Sequence, residues 1–382
     1  MDELQMIREA YGEPAPPTMR EMTEARARMS GETRRGRARS GWRLKAGLGV
    51  VAVGAAAAAG IATVGSGSPA PPSSRLDLGK QAVLAAAEKA EKQPTGKYWF
   101  TDHVTGQSYM MRPKTGSYAI VGAHDEYFSW TGVKTGLGEG FFGRSLPARP
   151  LTRQDEAAWR RAGSPSKFRV WSNDHYYTYD RGKTGWEVDD PDPKGGGAFY
   201  LNGRKMTVAE IQNLPSDPDA LAKLLFTRTA ERGVPDRRAK RLDMSKPDVK
   251  LRVAADALEN TPLPPRVRAG LMRALTEQPG IRSLGAATDP LGRRGVALAA
   301  DQDPTTVDRE YGAPAEEQGT YRVRSELIFN PATGELLSDQ EVLTEPGGPY
   351  RDRRPGFVVN YWIVRASGWT NTLPRPAAEL PF

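Results

Sequence analysis

The 382-residue sequence contains no cysteine and only three histidines. Without cysteine the protein cannot form disulfides, zinc–thiolate sites, iron–sulfur clusters, a cysteine nucleophile or a lipid-modified cysteine. The motifs H-E-x-x-H, H-x-H and G-x-S-x-G are also absent from the sequence, which removes the usual signatures of zinc hydrolases and α/β-hydrolases. These absences exclude several enzyme classes and leave the cellular compartment open.

The chain also has little excess charge of one sign. It carries 54 Lys and Arg against 46 Asp and Glu, a net charge of +8. Three of those charges belong to residues 1–45 and five to the long segment after Ser74, which is too few for a stripe that follows nucleic-acid phosphates. We therefore predict no nucleic-acid partner. The 40 glycines and 31 prolines predict a folded domain with many turns rather than a low-complexity chain.

One long apolar run is present, at residues 46–64. It contains 19 uncharged residues, close to the ~20 that cross a bilayer as a helix. Six Lys and Arg lie in the twelve residues before it, so the N-terminus is predicted to stay in the cytoplasm and the rest to lie outside. A buried Ala-rich helix and a cleaved signal peptide are the alternatives. The basic and linker-like flanks argue against the first, and the 45 residues before the run argue against the second, so we predict an uncleaved signal anchor in the cell membrane.

These features divide the chain into four segments. Residues 1–45 form a basic cytoplasmic tail with short helices, residues 46–64 the transmembrane helix, residues 65–75 a Gly/Ser/Pro linker, and residues 76–382 an extracytoplasmic α+β domain. The span contacts membrane lipids. The tail either binds a cytoplasmic protein partner or is a solvated segment that touches anionic lipid.

The outer domain changes character along its length. After a helix at 76–92, 19 of the chain's 31 aromatic residues lie between Tyr98 and Tyr200, which predicts a meander of antiparallel strands over 97–205. Helical patterns with Pro, Asp or Thr at their starts occupy 207–279, and strands return over 280–366. We expect an α+β fold, with an antiparallel, half-barrel-like sheet completed by both ends of the domain and a helical block on one face.

Two motifs resemble ligand-binding loops without completing them. The end of a P-loop is suggested by residues 181–184 (RGKT), but position 177 is Tyr where that loop needs Gly, so we predict a hairpin turn between Tyr179 and Trp186. The acidic run Glu187, Asp189, Asp190 and Asp192 starts like an EF-hand but has Lys194 at the third ligand and Leu201 at the last. An acidic surface turn is predicted there, and an irregular calcium site stays open.

The three histidines, His103, His124 and His175, all fall in the aromatic strand region and could meet on one sheet face. A Ser/His/Asp triad from distant positions stays open, but single histidines in a sheet are usually ordinary hydrogen-bonding residues. No catalytic, cofactor-binding or metal-binding residue is assigned, and no cofactor is expected. The aromatic sheet face is either a core surface or the wall of a groove for a lipid or peptide ligand.

Four segments carry a resemblance to a known family: residues 214–221 (LPSDPDAL), 264–271 (PPRVRAGL), 288–297 (TDPLGRRGVA) and 326–337 (ELIFNPATGELL). With them, nearly the whole chain resembles an actinobacterial family of uncharacterised single-pass membrane proteins. The resemblance implies a short cytoplasmic tail, one span and an extracytoplasmic domain. It implies no activity and no site residue.

The layout is also similar to membrane-anchored anti-sigma regulators and to the half-barrel carriers of lipoproteins. We expect a non-enzymatic membrane protein of the cell envelope with an extracytoplasmic binding or sensing domain, acting as an envelope-signalling, anti-sigma-like regulator. The alternative is a membrane-tethered lipid or lipoprotein binding protein, and a third is an envelope hydrolase. Fold-level similarity alone decides none of these.

Overall fold

In a computed structural model of the protein, the described residues are 78–90, 96–182, 184–201, 204–227, 242–309 and 312–382. The predicted tail at 1–45, the span at 46–64 and the linker at 65–75 lie outside them. Among the helices of the described residues, none combines the length and the apolar character needed to cross a membrane.

The described part of the chain contains six α-helices and fifteen strands, and their order alternates between strand-rich and helix-rich stretches. The helices are α1 (Leu78–Ala90), α2 (Arg153–Arg161), α3 (Val208–Gln212), α4 (Pro218–Phe226), α5 (Pro247–Asn260) and α6 (Pro265–Thr276). The strands are β1 (Tyr98–Met111), β2 (Tyr118–Gly132), β3 (Glu139–Ser145), β4 (Arg149–Pro150), β5 (Lys167–Ser172), β6 (His175–Asp180), β7 (Glu187–Asp192), β8 (Ala198–Leu201), β9 (Arg204–Thr207), β10 (Arg282–Thr288), β11 (Arg294–Asp301), β12 (Thr305–Val307), β13 (Gly319–Phe329), β14 (Leu336–Glu345) and β15 (Val358–Thr370).

Eleven of these strands form one antiparallel sheet. Its order is β10-β11-β13-β14-β15-β1-β2-β3-β7, with β12 beside β13 and β4 beside β2. Strand β1 pairs with β15 from Tyr98 opposite Thr370 to Gln107 opposite Asn360. The first and last strands of the domain therefore lie side by side in the middle of the sheet. The predicted α+β class, the antiparallel sheet and its completion by both ends of the domain are confirmed.

The helices begin where local chemistry places them. Thr207 accepts a hydrogen bond from the amide of Glu210, whose side chain accepts from the Thr207 amide in return, so a capping box opens α3. Asp217 caps α4 through the amide of Ala220, and α4, α5 and α6 all have Pro in the first turn.

A block of helices covers one face of the β10–β14 side of the sheet. Helix α5 packs on β11, β13 and β14, while α6 packs on α1, α4 and α5. The leucines that face inward, Leu251, Leu258, Leu271 and Leu275, are 0–1% exposed. This packing confirms the helical block predicted on one face.

Two predictions for residues 97–205 are wrong. Strands β5–β6 and β8–β9 form separate two-stranded sheets. Helix α2 and strand β5 pack on β2 and β1 instead of extending the main sheet. The predicted hairpin between Tyr179 and Trp186 does not form either, since β6 pairs with β5 whereas β7 returns to pair with β3.

Candidate functional site

One face of the central strands carries polar and aromatic side chains, and we call it the polar face. Paired residues of an antiparallel sheet share a face, and alternate residues of a strand return to it. The register pairs His103 with Tyr127, and Thr105 with both Asp125 and Trp362. By the same register the face also includes Trp99, Thr101, Ser129, Asp339, Glu341 and Asn360.

Aromatic rings meet at the centre of the polar face. The ring centroids of His103 and Trp362 are 5.1 Å apart, and Tyr127 stacks on Trp362 at 6.4 Å. Trp99 lies 5.6 Å from the guanidinium of Arg268, which comes from helix α6. His103 is 2% exposed and Trp362 9%, so both rings are buried.

Several polar atoms on this face have no hydrogen-bond partner among the described residues. Four come from the sheet and two from helices α5 and α6: Trp99 Nε1, His103 Nε2, Asn360 Oδ1, Trp362 Nε1, Glu259 Oε1 and Arg268 Nη2. Each such buried atom costs about 1–3 kcal/mol if it stays unpaired. A concentration of six in one region indicates that water or a ligand completes the polar face.

Burial moves the ionisable groups of this region toward their neutral forms. It raises the pKa of Asp339 to about 7, with the neighbouring charge of Glu341 adding to the shift, and it raises the pKa of Glu259 well above its usual range. Burial lowers the pKa of His103 to about 3. The imidazole is therefore neutral at pH 7, and the acids can both donate and accept hydrogen bonds.

Glu341 is held more firmly than the other acids of the polar face. Its carboxylate accepts hydrogen bonds from Asn360 and, at 2.7 Å, from Gln302 Nε2. Burial raises its pKa, and these two hydrogen bonds oppose the shift. Asn360 Nδ2 donates to Glu341, so only Oδ1 of this side chain lacks a hydrogen-bond partner among the described residues.

The opposite face of the sheet has a different composition. Here Val104, Val121 and Ile363 belong to an apolar cluster, and Glu126 lies fully buried beside it. Arg144 Nε and Arg365 Nη1 each donate to one Glu126 oxygen at 2.6 Å. Burial and the charge of Glu126 raise the pKa of Asp102, which lies in the same cluster.

The three histidines do not meet, so the possibility of a shared sheet face is not realised. His103 lies on the polar face, whereas His124 contacts Tyr361 and Phe382 on the opposite face. His124 is three residues from Tyr127 along β2, and an odd spacing reverses the face. His175 is exposed, with Nδ1 2.6 Å from Asp174 Oδ1. Within the described residues no group of His, Asp or Glu side chains has the geometry of a metal site.

The acidic run lies on a strand instead of in the predicted surface turn. Residues Glu187–Asp192 form β7, whose backbone pairs with β3 through Val188 and Phe142. Asp192 Oδ1 accepts a hydrogen bond from the amide of Lys194 at 2.9 Å. The side chains of Asp189 and Asp190 and residue 183 of the P-loop-like segment lie outside the described residues.

The sequence interpretation missed the residues of the polar face. The sequence pattern that marks the polar face is an alternation of polar and aromatic residues in β1, at Trp99, Thr101, His103 and Thr105. The same alternation occurs in β15 at Asn360 and Trp362. In an antiparallel sheet that pattern ordinarily marks the solvated side. Helices α5 and α6, which come from elsewhere in the chain, turn it into a buried site.

No protein-family model, no curated protein and no solved structure matches this chain. The resemblance to a family of single-pass membrane proteins therefore stays a prediction. The functional proposal below therefore rests on the arrangement of side chains on the polar face.

Proposed function

We propose that this protein is a non-enzymatic receptor of the cell envelope, whose outer domain binds a small polar ligand on the polar face. In this proposal the sheet is a half-barrel-like wall and the helices α5 and α6 close it. The observation that carries the proposal is the group of six buried polar atoms without partners on the sheet and these two helices.

The unpaired atoms define the chemistry of the ligand. The indole N–H groups of Trp99 and Trp362 and the guanidinium of Arg268 donate, while Asn360 Oδ1 accepts. The rings of Trp362 and Tyr127 offer flat apolar surfaces beside them. An uncharged molecule with several hydroxyl groups and an apolar ring face, such as a sugar, matches this set.

The same lining favours a polar ligand over the lipid of the alternative hypothesis. An acyl chain makes no hydrogen bonds, so it would leave the six polar atoms unpaired at a cost of about 1–3 kcal/mol each. The apolar depression near Met206, Leu214 and Leu224 lies at the surface of α3 and α4, away from the polar face.

The state of His103 favours binding over catalysis. A general base works best when its pKa lies near the working pH. Burial lowers the pKa of His103 to about 3, so at pH 7 it serves as a neutral hydrogen-bonding group.

The remaining parts of the proposal come from the sequence. Residues 46–64 anchor the protein in the membrane with the outer domain outside, and residues 65–75 link the two. Residues 1–45 contact a cytoplasmic protein, which makes the chain an envelope-signalling regulator of the anti-sigma type. The basic residues before the span support this orientation.

Trp362→Phe tests the ligand site, because it removes one indole N–H and keeps a ring. We expect a panel of neutral sugars to include a ligand that raises the melting temperature of the full chain in detergent. Trp362→Phe should weaken its binding about tenfold, the value of one 1.4 kcal/mol hydrogen bond, in calorimetric titration. Without ligand, the loss of an unpaired buried donor stabilises the variant and the smaller ring destabilises it, so the binding titration is the readout.

Trp159→Phe is the matched control. The Trp159 indole already donates to the carbonyl of Pro165 at 2.9 Å, so this variant should lose stability and keep its ligand affinity. Binding of a fatty acid but of no hydroxylated compound would favour the lipid alternative. Equal affinities of the two variants would place the ligand elsewhere.

A further inference from the structure

The chain after β15 crosses the opposite face of the sheet in an irregular conformation. We call residues 377–382 the C-terminal strap. Trp186 Nε1 donates to the carbonyl of Ala377 at 2.9 Å, and Arg144 donates to the carbonyls of Ala378 and Glu379 at 2.9 and 2.7 Å. Arg365 Nη1 adds a second contact to Glu379 at 3.2 Å. All four hydrogen bonds therefore go from side chains of the sheet region to main-chain carbonyls of three consecutive residues.

The donors are held in place independently of the strap. Glu126, which is fully buried, binds both Arg144 and Arg365 at 2.6 Å. The guanidinium of Arg144 also lies 4.3 Å from the ring centroid of Trp186. Such fixed donors lose little conformational freedom when a peptide arrives, which favours its binding.

The strap itself is attached mainly through its backbone. Ala378, Glu379 and Leu380 are exposed, and Phe382 is 45% exposed. The ring centroids of Phe382 and His124 are 5.0 Å apart, and the two rings are stacked. The guanidinium carbon of Arg149 lies 4.1 Å from the Phe382 ring centroid. Most of the strap's side chains are thus exposed, and its described hydrogen bonds to the sheet go to its main-chain carbonyls.

The strap also leaves polar groups around it without partners. Asp102 Oδ1, His124 Nε2 and Arg149 Nε are buried and find no hydrogen-bond partner among the described residues. His124 and Arg149 both contact the Phe382 ring, and Asp102 Oδ2 lies 3.8 Å from Arg365. A segment with suitable polar groups would satisfy atoms that the strap leaves unpaired, and would therefore bind better.

We propose that the opposite face carries a peptide-binding site, that the strap occupies it as an intramolecular ligand, and that an extended segment of another protein replaces the strap. The segment would offer three consecutive carbonyls to Trp186, Arg144 and Arg365. It would carry small residues where Ala377 and Ala378 lie and, at the position of Phe382, a ring that also bears polar groups for the unpaired atoms of His124 and Arg149. This site is separate from the polar face, so a test of the peptide-binding proposal does not decide the sugar-binding proposal.

The experiment separates the strap from the sheet after folding. A site-specific protease sequence is inserted in the full chain between Thr372 and Leu373, which are exposed, and the purified protein is cut. A fluorescent peptide of residues 376–382 (PAAELPF) is then titrated against cut and uncut protein by fluorescence polarisation. We expect the peptide to bind the cut protein at least tenfold more tightly, since only the cut strap can leave.

Two controls test how the peptide is recognised. Trp186→Phe removes one donor to the main chain and should weaken peptide binding several-fold, whereas Trp159→Phe should leave it unchanged. A peptide of the same composition with Phe at its first position should bind more weakly, because its ring misses His124.

Three results would overturn the proposal. The cut segment could stay bound without exchange, or the cut protein could lose its circular dichroism signal once the segment leaves, and in either case the strap is a structural part of the fold. Equal binding to cut and uncut protein would place the peptide on another surface.

Discussion

Asp339 and His103 show how one environment moves two side chains in opposite directions. Burial raises the pKa of the carboxyl to about 7 and lowers that of the imidazole to about 3. Both changes disfavour the charged form, as expected where water is excluded. At pH 7 His103 is therefore neutral and Asp339 is partly protonated, so both can hydrogen-bond an uncharged ligand.

Asp339→Asn should stabilise the domain more at pH 8 than at pH 5. The carboxyl has a pKa of about 7 when folded and 3.8 as its ordinary value, so the folded state holds an extra proton between these values. The Asp339 carboxyl therefore does not lower the free energy of unfolding below pH 3.8. It lowers that free energy increasingly as the pH rises from 3.8 to 7. We expect the gain to be about 2–3 kcal/mol larger at pH 8 than at pH 5, since the destabilisation accumulates between pH 3.8 and 7, measured by urea unfolding.

The exposed Glu88→Gln on helix α1 is the control for loss of a carboxylate. It should change stability by the same small amount at both pH values. If Asp339→Asn were equally stabilising at pH 5 and pH 8, the carboxyl would not be protonated in the folded protein.

At the scale of elements, local signals were readable from the sequence and long-range pairings were not. Helix α5 begins at Pro247, within the range predicted to be helical, because the first turn of a helix depends only on neighbouring residues. Strand β13 lies within the range 280–366 predicted to return to strands, and the turn after it contains Asn330 and Gly334. The separation of β5 and β6 from the main sheet could not be predicted, since it depends on β3 pairing with β7, across the intervening helix and hairpin.

The candidate site was hidden from the sequence for the same reason. The alternation at Trp99, Thr101 and His103 gives the side of β1 on which these residues lie. It does not tell whether water or protein covers that side. Arg268 and Glu259, which supply that cover, belong to helices more than a hundred residues further along the chain.

Thr207→Ala should weaken helix α3 by about 1 kcal/mol, because it removes the side-chain half of the capping box. The hydroxyl accepts from the Glu210 amide at 3.2 Å. Since α3 has only five residues, we expect faster amide hydrogen exchange at Glu210 with a smaller effect on global unfolding. Thr207→Ser keeps the acceptor and should exchange like the parent. Equal exchange in the Ala and Ser variants would show that the cap does not stabilise this helix.

At the scale of the whole molecule, the continuous sheet joins the helix-covered half to the aromatic half. Strands β13, β14, β15, β1 and β2 are hydrogen-bonded in succession, and the polar face is built from four of them. Damage to the helical block should therefore be transmitted to the aromatic strands, and the domain should unfold in one transition.

Leu271→Ala tests this cooperativity. The side chain is 0% exposed in helix α6, and such truncations cost about 2–5 kcal/mol. We expect circular dichroism and tryptophan fluorescence to shift together to lower urea. Leu224→Ala, at a side chain that is 43% exposed, should shift neither signal much. A loss of helix signal at unchanged fluorescence would mean that the two halves unfold separately.

The pairing of β1 with β15 also sets the order of events during synthesis. Ser108 Oγ donates to the carbonyl of Val358 across 250 residues of sequence. Strand β1 therefore leaves the ribosome long before its central partner exists, and it waits with one edge unpaired. A nascent chain of this protein therefore cannot complete its central sheet until its last strand emerges, and it exposes the edge of β1 throughout most of translation.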